Sequence, residues 1–140
     1  MALSRDEFID ILTIVNYLAH SDGDMHPAEK KVLIATFKAG AVTPEEQSRM
    51  KGKSSLEEML QEIQTDDAKQ TLIDLLALVA SSDGKFEEEE RVVMLKVMKK
   101  LGMSPDEYRF FKDGQDLDVP AVRAAVMEIL RDLKTQVTSG

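Results

Sequence analysis

The chain predicts an all-α fold, a single compact helical bundle spanning residues 1–140 and built from two pseudo-symmetric repeats, about 5–64 and about 66–136. Three observations carry that expectation. Apolar residues recur at spacings of three and four, the period of an amphipathic helix, and nowhere alternate long enough to make a convincing strand. Ser or Thr precedes Glu by three residues at Ser4, Thr43, Ser55 and Ser104, the spacing of a capping box that opens a helix. The chain also repeats itself at an offset of 61 positions. Asp22-Gly23, followed by Met25 and Glu29, returns as Asp83-Gly84, followed by Phe86 and Glu90. The register extends through Val32 and Val93, Lys38 and Lys99, and Thr43-Pro44 and Ser104-Pro105. A gapless match of that span reads as an internal duplication.

Taken in order, the first helix is expected near 5–20, where Phe8, Ile11, Leu12, Val15, Leu18 and Ala19 make one stripe. A second near 27–39 opens at Pro27, whose missing N–H is harmless in a first turn, and carries Val32, Leu33, Thr36 and Phe37. Short helices follow near 44–51 and 56–64, the latter with Leu56, Met59, Leu60 and Ile63 inward. The helix near 67–81 is apolar almost all round from Leu72 to Ala80, so it should be buried on most sides and act as the hub. Helices near 88–101, 105–112 and 119–136 complete the set, the last striped by Val122, Val126, Ile129, Leu130 and Leu133. No linker or change of composition separates the halves, and neither half is expected to bury its apolar face alone.

Composition narrows the function. With no cysteine there is no disulfide, thiolate metal site or cysteine nucleophile, which fits a reducing compartment. Arg5, Asp6 and Glu7 sit where the apolar run of a cleavable signal would begin, and Leu75 to Ala80 is too short to span a bilayer. A cytoplasmic location without membrane insertion is the expectation. Eighteen basic residues against twenty-six acidic ones leave a net charge of −8, which repels phosphate backbones and suits cations or basic partners. No nucleic-acid partner is expected. There is no nucleophile elbow, phosphate-cradling glycine loop or His-Glu-x-x-His run, so no enzyme is expected either. The eight methionines fall mostly at helix positions and read as core filler.

The repeated acidic loops are the one feature pointing to chemistry. Asp-Gly-x-apolar-x-x-x-Glu matches the second half of an EF-hand calcium loop: a carboxylate before the turn glycine, an apolar anchor, and a helix-borne glutamate. The first half does not match, because the early ligand positions hold Leu18 and His20 in one copy and Val79 and Ser81 in the other. A complete calcium cage is therefore not encoded in either loop. Asp22, Glu29, Asp83 and Glu90 could pool oxygens for a weakly held divalent cation, calcium or magnesium before zinc, since oxygen ligands favour hard ions. The structural alternative stays open beside it. Gly23 and Gly84 would be left-handed helix caps, Asp22 and Asp83 acceptors for the next turn, and Glu29 and Glu90 partners of their helix dipoles. His20 and His26 lack counterparts in the second loop and read as cap or surface residues. Asp113, Asp116 and Asp118, around Gly114, read as turn and cap residues.

Ala19-His20-Ser21-Asp22-Gly23 with Glu29, and Ala80-Ser81-Ser82-Asp83-Gly84 with Glu90, resemble the paired signatures of TerB-like proteins. These are small helical domains associated with tellurite resistance, similar also to the N-terminal cytoplasmic domain of DjlA-type membrane co-chaperones. The likeness runs from the first helix to the Ser104-Pro105 helix. It implies an all-helical bundle, a stress-response setting and a divalent-cation site at Asp22, Glu29, Asp83 and Glu90. His26 and Glu87 depart from the small hydroxyl residue expected before the second helix of each repeat. The functional expectation is a non-catalytic, tellurite-resistance-like module acting through protein contacts, its partner a membrane-associated stress-response protein. The alternative is a metal-independent interaction scaffold whose acidic loop residues are only caps.

Overall fold

The computed structural model describes residues 3–19, 27–50, 55–82, 84, 86–112 and 116–138. Within them the helices are α1 (Arg5–Ala19), α2 (Pro27–Ala39), α3 (Pro44–Arg49), α4 (Leu56–Gln61), α5 (Asp66–Ser81), α6 (Glu88–Leu101), α7 (Val119–Ala124) and α8 (Val126–Thr138). A 3-10 turn spans Pro105–Glu107, and β1 (Phe111–Lys112) pairs antiparallel with β2 (Asp116–Leu117). The offset of 61 carries α1 onto α5 and α2 onto α6.

α5 takes the hub position that its apolar composition predicts. Twelve of its residues are buried, and it packs against α1, α2, α6, α7 and α8. α1 lies along it with Phe8, Ile11, Leu12 and Ile14 fully enclosed. Each such side chain contributes about 1.5–3 kcal/mol by leaving water, so the α1–α5 pair is the backbone of the core. Met94, Val97 and Met98 from α6 and Leu133 from α8 complete one continuous apolar cluster.

The helix starts follow their caps. Ser4 and Glu7 bond reciprocally, with Ser4 N–H donating to Glu7 Oε1 at 3.1 Å and Glu7 N–H to Ser4 Oγ at 3.0 Å. Thr43 and Glu46 do the same for α3. Ser55 Oγ accepts from Glu58 N–H, and Asp118 Oδ1 caps α7 through Ala121 N–H. The cap of α5 is Thr65, whose Oγ1 accepts from Ala68 N–H and donates to Glu7 Oε2 at 2.8 Å, tying the starts of α5 and α1 together.

The structure corrects two helix expectations. The segment 105–112 is not a helix: after the 3-10 turn Tyr108 is extended (φ −77°, ψ 126°), and Phe111 enters β1. Tyr108 packs edge-on against both Phe110 and Phe111, at 5.7 and 5.4 Å between ring centres. Tyr108 and Phe110 are both buried, an i, i+2 pair that one face of a helix would separate. Ser104 makes no side-chain cap bond there. The last helix breaks at Ala125 (φ −91°, ψ 0°) into α7 and α8, with Ala125 N–H shared between the Ala121 and Val122 carbonyls. α3 and α4 end earlier than expected, at Arg49 and Gln61.

Candidate functional site

Val15, Leu18 and Ala19 lie at i, i+3 and i+4 on α1 and so share one face near its C-terminal end. Their counterparts 61 positions on, Leu76, Val79 and Ala80, share the matching face of α5. Both triplets line a cleft of about 300 Å³, closed on a third side by Val93 and Met94 of α6. Leu18 and Val79, which fall where an EF-hand loop carries early carboxylates, therefore form its apolar floor. The mouth is acidic, with Glu29 at the start of α2 and Glu87, Glu89 and Glu90 at the start of α6. The cleft is thus lined by register-equivalent residues from both halves, Glu29 and Glu90 included.

Of the four carboxylates expected to pool, Glu29 and Glu90 line this cleft, both half-buried, whereas Asp22 and Asp83 lie outside the described residues. Gly23, Met25, His20 and His26 lie outside them too. Among the described residues no three His, Asp or Glu side chains group closely enough to hold a metal ion, so the expected site would need the two aspartates. Glu90 has a structural duty as well: its Oε1 accepts from Glu87 N–H at 3.0 Å, one leg of a cap on α6. Gly84 adopts the left-handed conformation expected of a helix-ending glycine (φ 84°), its N–H donating to Ser81 O. Phe86 anchors the second loop by packing on Phe111 at 6.4 Å between ring centres. Arg123 of α7 comes up beside the same loop: a Cβ built on Gly84 would lie 3.4 Å from its Nη1. The second loop therefore has a cation of its own chain nearby.

A larger cavity, about 590 Å³, opens between α5, α8 and the segment after the 3-10 turn. Asp74 forms part of its wall, a carboxylate on the hub helix only 7% exposed. Tyr108 Oη donates to its Oδ1 at 2.7 Å, Gln70 Nε2 to the same oxygen at 3.1 Å, and Arg109 Nη2 to Oδ2 at 3.1 Å. Burial nevertheless outweighs these donors and holds the Asp74 carboxyl above the usual aspartate range. Burial, then the neighbouring Asp74 charge, raises the Tyr108 phenol, which stays a donor. This network was visible in the sequence only as one carboxylate in an otherwise apolar stretch, a pattern that requires buried partners. It fastens the aromatic segment to the hub.

No helix among the described residues is long and apolar enough to cross a membrane. A family model described as tellurite resistance protein TerB matches residues 34–113. The match takes in the second acidic motif, Asp83 and Glu90 included, and begins after the first, so it covers less of the N-terminal half than the residue-level resemblance does. No curated protein and no solved structure matches the chain. With more than half of its length matched by that model, and with the helical fold the resemblance implies, the chain belongs to the TerB family.

Proposed function

We propose that this protein is a non-catalytic, cytoplasmic module of a tellurite-type stress response that works through protein contacts, tuned by weak binding of calcium or magnesium at Asp22, Glu29, Asp83 and Glu90. The observation that supports this reading is the shared cleft: the two helix-borne glutamates of the repeated motif, 61 positions apart, line one opening over register-equivalent apolar residues. That pairing also favours the internal duplication. The partner is a membrane-associated stress-response protein that the domain meets from the aqueous side. Tellurite itself is a poor ligand, because an oxyanion is repelled by a chain of charge −8 with carboxylates at its cleft.

A second reading, a metal-independent scaffold whose acidic loop residues are only caps, is favoured by the Glu90 cap bond and by Arg123 beside Gly84. The Asp22→Ala, Asp83→Ala double variant separates the two. On the first reading it keeps its helical circular dichroism and loses both the heat of titration with millimolar calcium or magnesium and the ion-induced rise in melting temperature. It also captures less partner from tellurite-challenged cells. Absence of heat and thermal shift in the wild type would leave the scaffold reading in place. Outright unfolding of the double variant would make the aspartates caps.

A further inference from the structure

We infer that the groove between α1, α5 and α6 seats a basic amphipathic segment of the partner, apolar side chains on its floor and lysines or arginines against its acidic walls. The inference rests on the reading that this protein acts through protein contacts, and it supplies the chemistry of the contact.

The floor selects for an apolar occupant. Leu18, on that floor, and Val93 are half-buried apolar side chains, so seating a hydrocarbon group there removes further surface from water. Met94, unbranched and polarizable at the base, can adapt to the shape of what enters. A volume of about 300 Å³ is at the small end for ligand sites, enough for anchoring side chains but not for a whole helix. This is how an amphipathic segment reads a groove, through a few anchors at helical spacing.

The walls select the sign of the flanking charge. Glu29 stands on α2, Glu87 at the N-cap of α6 and Glu89 in its first turn, and no Lys or Arg is among the described residues that line the groove. An occupant with cations beside its apolar anchors meets complementary charge from both helices, whereas an acidic one is rejected. A second copy of this chain does not meet that requirement. Its net charge of −8 opposes self-association. A separate basic partner is the occupant that fits.

The test uses the full chain and a fluorescein-labelled peptide of repeating Leu-Lys-Lys-Leu units, read by fluorescence polarisation. Versions with serine for leucine and with glutamate for lysine serve as controls. The leucine–lysine peptide is expected to bind at least about tenfold more tightly than either control. Amide chemical-shift changes should centre on Leu18, Val79 and Val93. The Glu87→Lys, Glu89→Lys double variant should weaken binding about tenfold; because its lysines stand at the positive end of the α6 dipole, if it melts early, Glu89→Gln alone is expected to weaken binding in the same direction with its melting curve preserved. Equal binding of the serine peptide, shifts on another face, undiminished binding by a folded variant, or dimerisation in place of peptide binding would each overturn the inference. Partner capture from tellurite-challenged cells that persists in the double-lysine variant would also remove the groove as the site while leaving the protein-contact reading intact.

Discussion

Glu46 holds together three parts of the first half. Arg5 forks onto it from α1, Nε to Oε2 and Nη2 to Oε1, both at 2.6 Å, while the remaining guanidinium contacts go to the Gly40 and Ala41 carbonyls just after α2. That fork, with the Thr43 N–H, lowers the Glu46 carboxyl from 4.5 to about 2. A carboxylate with a depressed folded-state value adds stability above its unfolded value and loses it as pH falls. Glu46→Gln keeps the cap but loses the charge, and should cost about 1–2 kcal/mol at neutral pH, the figure reduced because Arg5 is 36% exposed. Thermal melts should show that cost shrinking between about pH 4.5 and pH 2. Asp74 runs the other way. Its raised value means the folded state binds the extra proton, so its contribution falls as pH rises from the ordinary aspartate range through the raised value. In the same melts Asp74→Asn should lack that slope, and the wild type should lose ground relative to the variant across the window. A parallel pH profile for the two proteins would refute the assignment.

At the scale of elements, caps and tertiary partners divide the work unevenly. α3 and α4 have six residues each, too short to persist alone, and depend on their caps and on docking against the core. α5 needs propensity less, since most of it is buried, yet its Thr65 cap also reaches Glu7 of α1. Thr65→Ala should therefore cost more than an ordinary cap, which is worth about 1 kcal/mol, and chemical denaturation would measure the excess. A loss at or below that figure would show the Thr65–Glu7 bond to be energetically idle. The aromatic segment after α6 obeys a different rule. Its ring contacts and the Asp74 network override the helical spacing of Ser104 and Glu107.

Across the whole molecule, the 61-residue register and the charge meet at one place. The same offset that aligns the two motifs brings Val15 with Leu76, Leu18 with Val79, Ala19 with Ala80, and Glu29 with Glu90 to a common cleft. Both glutamates sit in the first turn of their helices, where the positive end of each dipole favours a carboxylate. Gathering negative charge at one opening costs stability in a chain that is already −8, and the proposed cation or cationic partner would relieve it. Arg123 and Phe111 of β1 lie beside the second motif.

Helix identity, the hub and most starts were legible in the chain, because the 3.6-residue period and the caps are local and each is set by residues within four positions. So were the 61-residue register and the two glutamates that it aligns. What only tertiary structure decided is that the two aligned glutamates line one cleft, and which local signals lose. Ser104 and Glu107 have capping-box spacing, yet the chain turns extended at Tyr108 because burying Tyr108 and Phe110 and partnering Asp74 outweigh one helical turn. The Thr65–Glu7 and Arg5–Glu46 bonds join residues 58 and 41 positions apart, a distance that no local pattern encodes. The cleft follows the same logic: its floor reads as ordinary core stripe on α1 and α5, and only the packing of those helices with α6 brings the two stripes to one opening.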